Sequence, residues 1–106
     1  MQAIIAETKL ELDCKSGHRL PIHVYIRAPY DLNDGSWGCY CNIAGMWDKE
    51  KRICGEDSFQ ALCLAIGFLR LQLQQMALRD ATFYFPDENA DVVPIDAIFG
   101  SMGVQR

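Results

Sequence analysis

Residues 55–75, GEDSFQALCLAIGFLRLQLQQ, decide the fold. Asp57 followed three residues later by Gln60 is a capping box, and Glu56 and Asp57 suit the positive end of a helix dipole. The spacing predicts a helix running to about Leu78. Stepping about 100° per residue places Phe59, Ala61, Leu62, Ala65, Ile66, Leu69, Leu73, Met76 and Ala77 on one broad face, which predicts packing on a sheet. The opposite side holds Gln60, Arg70, Gln74 and Gln75, as a solvated face should, but also Cys63, Leu64, Gly67, Phe68, Leu71 and Leu78. A single sheet cannot bury both sides. Gly67 in mid-helix costs about 1 kcal/mol relative to alanine, which favours a close backbone contact there.

The sheet is expected upstream. In residues 3–13, AIIAETKLELD, Ile4, Ala6, Thr8, Leu10 and Leu12 alternate with Glu7, Lys9, Glu11 and Asp13, the pattern of a strand with one wet face. After a turn at Gly17, Leu20, Ile22, Val24 and Ile26 alternate with Pro21, His23, Tyr25 and Arg27, a second strand and the hairpin partner of the first. Pro21 suits a strand start or an edge. Asp34-Gly35 marks a turn into WGCYCNIAG, where Trp37, Cys39, Cys41 and Ile43 share one parity, and a short fourth strand is expected around 49–54 with charged residues at the hairpin tip. The expected fold is therefore α+β: one domain over 1–106, a three- to four-stranded antiparallel meander with one long helix packed across it, completed by a C-terminal covering segment. Within that segment ATFYFP reads as a short strand. VVPIDAIFG reads as a short helix with Pro94 at its first turn and Ile95, Ile98 and Phe99 as its apolar stripe. Leu64, Phe68 and Leu71 have three candidate covers: this segment, a second copy of the chain, or a different partner.

The chain's 106 residues, 50% hydrophobic and 23% charged, suit one compact domain. Arg70 and the glutamines interrupt the only long apolar segment, so no membrane span is expected. Residues 1–12 show neither a basic start nor an apolar core nor a small-residue cleavage site, which points to a cytoplasmic protein. Five cysteines make an odd set without a disulfide framework, and four of them sit in apolar segments as small hydrophobes. The net charge of −4 is unevenly placed. Charges balance through residue 79, whereas the remainder holds Asp80, Asp87, Glu88, Asp91 and Asp96 against Arg106 alone. That imbalance argues against nucleic acid and for a basic partner.

Trp37, Cys39, Gly55, Asp57, Ser58, Gln60, Ala61 and Leu62 lie in a run, residues 6–73, that resembles a small bacterial domain-of-unknown-function family. The resemblance implies an N-terminal antiparallel sheet ending in a W-x-C-x-x-I-like strand, then a helix opening with G-x-D-S-x-Q-A-L. It brings no assigned catalytic residues.

The chain carries few signs of chemistry. Cys39 and Cys41 point to the same side of a strand, beside Trp37 and Ile43, which reads as core packing more readily than as a thiolate metal site. Cys14, His18 and Asp13 are the only local nucleophile-and-base set, and they sit in a hairpin turn. His23, Tyr25 and Arg27 form a row on a polar strand face that offers a small binding patch. Phosphate loops, nucleophile elbows, zinc-protease and EF-hand patterns are missing, so no enzyme, cofactor or metal is expected. The composition fits non-catalytic protein binding, in one version an immunity-type protein that neutralises a basic toxin through Asp87, Glu88, Asp91 and Asp96. The alternative is a homodimeric structural or regulatory domain paired through Leu64, Gly67, Phe68 and Leu71. A small enzyme or ligand-binding domain is a third class.

Overall fold

The computed structural model describes residues 1–86 and 91–100. Its elements are β1 (Ile4–Asp13), β2 (Arg19–Arg27), β3 (Tyr30–Asp31), β4 (Trp37–Ala44), β5 (Lys51–Gly55), α1 (Ser58–Leu78), β6 (Thr82–Tyr84) and α2 (Ile95–Phe99). All strand pairings are antiparallel. The meander β1-β2-β4-β5 is the expected one, with Leu10 opposite Ile22, Val24 opposite Ile43 and Cys39 opposite Ile53. Two short strands widen it. β3 continues the line of β2 along β4 after Ala28-Pro29, and β6 returns from α1 to pair Leu12 with Phe83 on the far edge of β1. Nothing in the sequence marks β3, because two residues beside a polar loop carry no period to detect.

Strand alternation sends Leu10, Leu12, Ile22, Val24, Ile26, Cys41, Ile43 and Phe83 to the helix side, where all are buried. Against them α1 presents a narrower face than its pattern suggests: Ala61, Ala65, Leu69 and Leu73 are its buried residues. Leu62 and Met76 are half-buried flanks, while Phe59 (75% exposed), Ile66 and Ala77 face solvent, contrary to the expected broad face. The reason lies in where the helix sits. It crosses β4 and β5 and barely reaches β2, so only a stripe one residue wide per turn has sheet beneath it. By length and composition α1 also passes as a membrane-crossing helix, at 21 residues and mean hydropathy 1.4, despite Arg70 and the glutamines.

The helix start is as read from the sequence. Asp57 accepts a hydrogen bond from the Gln60 amide at 2.7 Å, as the capping box requires, while Gln60 Oε1 accepts one at 2.7 Å from the amide of Glu56, the residue before the N-cap, in place of that of Asp57. Gly55, the last residue of β5, must be glycine for a steric reason: a Cβ there would lie 2.5 Å from the Ala61 nitrogen. Gly67 behaves differently. It is exposed, and a Cβ there would meet nothing within 4 Å, so the close contact expected from its position is not made among the described residues.

The C-terminal segment covers one flank of α1 and leaves the outer side bare. Arg70 Nη2 donates to Asp96 Oδ1 at 2.5 Å, and the Arg70 guanidinium lies 5.7 Å from the Phe99 ring centre. Ile95, Ile98 and Phe99 join the core edge beside Ile66 and Leu69. Phe68 is covered from the opposite flank by Trp47, ring centres 5.8 Å apart, with Lys51 over the other ring partner at 5.0 Å. Leu64 and Leu71 keep 46% and 48% of their surface, so among the described residues the C-terminal segment does not cover these two.

These two glycines separate in a test of stability. Gly55→Ala is expected to destabilise by about 1–3 kcal/mol, the range for forcing atoms into a packed site. Gly67→Ala is expected to stabilise by up to about 1 kcal/mol through helix propensity. Urea unfolding of dilute protein followed by circular dichroism measures both, and equal effects at the two sites would contradict the packing described.

Candidate functional site

The polar face of the sheet gathers the row His23, Tyr25 and Arg27 into a network that the sequence reading grasped only in part. Strand pairing sets Glu7 opposite Tyr25 and Tyr25 opposite Asn42, and Glu50 enters from the turn before β5. Glu50 Oε2 accepts the Tyr25 hydroxyl at 2.5 Å and Arg27 Nε at 2.7 Å. Arg27 also donates to the Gln2 carbonyl at 2.8 Å. His23 Nε2 lies 2.6 Å from Glu7 Oε1, and the His23 and Tyr25 ring centres are 4.9 Å apart. The Arg27–Glu50 pair is mostly shielded, with 16% and 18% of the side chains exposed.

Proton positions in the network follow from its donors. The Tyr25 hydroxyl gives its one hydrogen to Glu50 and accepts from Asn42 Nδ2 at 3.1 Å. That orientation leaves Asn42 Oδ1 buried with no partner among the described residues, a cost that flipping the amide would not remove, because Tyr25 has no second hydrogen to give. Burial works to raise the Glu50 pKa, but the hydrogen bonds from Tyr25 and Arg27 and the Arg27 charge outweigh it and hold the carboxyl below its ordinary value. Arg27 is raised in turn, chiefly by its hydrogen bond to Glu50. The arrangement clamps the 45–50 turn onto the sheet.

The thiol candidates are not arranged for chemistry. Cys39 and Cys41 are fully buried, and desolvation pushes both thiols up, Cys41 to about 12, so neither is a thiolate near neutral pH. Cys14, Cys54 and Cys63 are exposed, which corrects the expectation that four of the five pack as small hydrophobes. Cys14 and His18 do line one shallow surface cavity, with Leu12, Leu20 and Met46. Asp13, the expected orienting group, accepts instead from the Ser16 and Gly17 amides and holds the turn. Among the described residues no three of His, Cys, Asp and Glu cluster in a way that could hold a metal ion.

The acids of the last quarter are partly engaged. Asp96 pairs with Arg70 and Asp80 with Lys15 at 3.0 Å, Asp91 is exposed, and Asp87 and Glu88 lie outside the described residues. The expected oligomer face divides. Leu64, Gly67 and Leu71 share the solvent side of α1 with Leu78, which is 80% exposed, whereas Phe68 turns under Trp47 and leaves that set. Leu64, Leu71 and Leu78 recur every seven residues, between Gln60, Gln74 and Gln75, so the stripe carries no charge.

Sheet, capped helix and polar clamp together define a small α+β domain with a curled antiparallel sheet, one long helix against it and a short helix following. The chain belongs to the family described as Domain of unknown function (DUF6968), whose model matches residues 6–92 and so includes β6 as well as the motif region. No curated protein and no solved structure matches the chain.

A carboxyl held below its ordinary pKa stabilises the fold above the unfolded value, and that contribution is lost as pH falls through the folded value. Glu50→Gln should therefore lower stability at neutral pH and flatten the acid-side decline of stability. Urea midpoints measured from neutral pH down through the carboxylate range check this; parallel curves for wild type and variant would show that Glu50 is not held as described.

Proposed function

We propose that this domain acts by non-catalytic protein binding, that the outer face of α1 is its binding element, and that this face pairs first with the same face of a second copy. The observation that carries the reading is the stripe Leu64, Leu71 and Leu78, exposed at seven-residue spacing on a helix whose other side is already in the core. Large side chains kept in water along one line cost hydrophobic free energy, roughly 25 cal/mol for each Å² of apolar surface, that a partner helix recovers. The absence of charge on the stripe supports self-pairing. A face of leucine and glutamine meets its own copy without like-charge repulsion, as an isologous two-fold interface requires.

The toxin-neutralising version draws less support. Of the acids it relies on, Asp96 already serves Arg70, Asp91 is exposed, and Asp87 and Glu88 lie outside the described residues. A catalytic role draws support from none of the thiols or carboxylates described above.

Light scattering at two concentrations tests the proposal. The wild type is expected at twice 12.0 kDa at the higher concentration and Leu71→Glu at 12.0 kDa, with unchanged circular dichroism because Leu71 is 48% exposed and stands outside the core cluster. Leu71 is a better choice than Phe68, whose loss would also uncover Trp47. A wild type of 12.0 kDa at both concentrations would contradict self-pairing.

A further inference from the structure

We propose that the open edge of β1 is a second docking site, which takes an extended peptide segment as an added strand along Ile4–Lys9, with one apolar side chain of the peptide seated in the cleft beside it. β1 runs ten residues and pairs along β2, regularly from Ala6 onward with a register shift between Ile4 and Ala6, but on its other edge β6 takes only Glu11, Leu12 and Asp13. Among the described residues, Ile4–Leu10 therefore have no strand partner on that side. Such an edge presents backbone N–H and C=O groups in the pattern that an incoming strand completes.

The edge is accompanied by a shaped cleft. Beside β1, a cavity of about 220 Å³ is lined by Ala6, Glu7 and Thr8, by Ile66 and Leu69 of α1 and by Ile98 and Phe99 of α2, together with part of β2. It exists because α1 lies over β4 and β5 and because Ala6 and Thr8 are small, so the near half of β1 has only the Ile66–Leu69 edge of α1 and the end of α2 above it. Small-molecule sites run to roughly 300–1,000 Å³, so this cleft suits a single aliphatic or aromatic side chain better than a free ligand. Side chains of an added strand alternate across the sheet, so one would enter the cleft while its neighbours lie on the outer face beside Glu7 and Lys9.

Charge favours a peptide over a second copy at this edge. If two β1 edges paired antiparallel over Ile4–Leu10 with both helix layers on one side, Glu7 would stand directly opposite Glu7, and like charges so placed are destabilising. Sliding the register by two one way sets Glu7 opposite Lys9 but brings Ile5 against Glu11, where β6 already pairs, and sliding it the other way sets each Glu7 against Ile5, so that the register shift of both copies falls inside the short pairing.

The probe is a capped seven-residue peptide of alternating threonine and valine with a central leucine, titrated to about 1 mM, the weak end of specific affinity, into ¹⁵N-labelled protein. Amide shift changes are expected at residues 4–9, Ile66 and Ile98. Ala6→Trp, which fills the cleft from an exposed position, should weaken binding about tenfold or more, as should methylating alternate amides of the peptide, a change equal to about 1.4 kcal/mol that needs no altered protein. Three results would overturn the proposal. These are no localised shifts, equal binding of the methylated peptide, or shifts at residues 4–9 that follow protein concentration without peptide, which would assign the edge to a second copy.

Discussion

The close approach of the β5–α1 corner governs the rest of the molecule. Gly55 passes so near the backbone of Ala61 that no side chain fits between them, and Ala61 and Ala65 let the first turns of α1 settle directly on β4 and β5. Small residues at a helix–sheet contact shorten the distance and narrow the face that is buried. The helix is thereby fixed to one half of the sheet, over Cys39, Cys41 and Ile43. Two consequences follow from that position alone. The outer leucines of α1 have no cover within the described chain, and the near half of β1 has a cleft in place of a helix.

The polar clamp on the opposite face works with this corner. Glu50 stands between the 45–50 turn and the strand that ends at Gly55, and its bonds to Tyr25 and Arg27 tie the start of β5 across β4 to β2. Trp47 in the same turn reaches the other way, under Phe68 of α1. One turn is thus fastened to both layers, by charge-assisted hydrogen bonds on one side and by aromatic packing on the other. The unpartnered Asn42 carbonyl is the one cost visible in this network, and it lies beside Tyr25, whose hydrogen is committed to Glu50.

Much of this was legible in the chain. Period-two alternation in 4–13 and 19–27 located β1 and β2 and placed Leu10, Leu12, Ile22, Val24 and Ile26 inward, whereas Ile4, Ala6 and Leu20, expected on the same face, are exposed beyond the reach of the helix; the Asp57–Gln60 box marked the helix start because capping depends on near neighbours. The outward row His23, Tyr25 and Arg27 was also readable. What escaped depended on contacts between distant residues. Glu50 looked like one charge among several at a hairpin tip, and nothing in its spacing points to Tyr25. Phe68 could be placed on a helix face but not under Trp47, and Asp96 read as a free acid because its partner, Arg70, is 26 residues away. The breadth of the buried face of α1 was overestimated because periodicity reports which side is apolar, not how much sheet lies beneath it.

The central claim, that the outer face of α1 is covered by another copy, is tested most directly by nuclear Overhauser effects between chains in a mixture of isotopically labelled and unlabelled protein. Leu64 and Leu78 are 14 residues apart in one helix, about 21 Å, too far for a methyl–methyl effect within a chain. Cross-chain effects joining the methyl groups of Leu64, Leu71 and Leu78 are the predicted result. A mixture at high concentration that shows none from these three leucines would contradict the account.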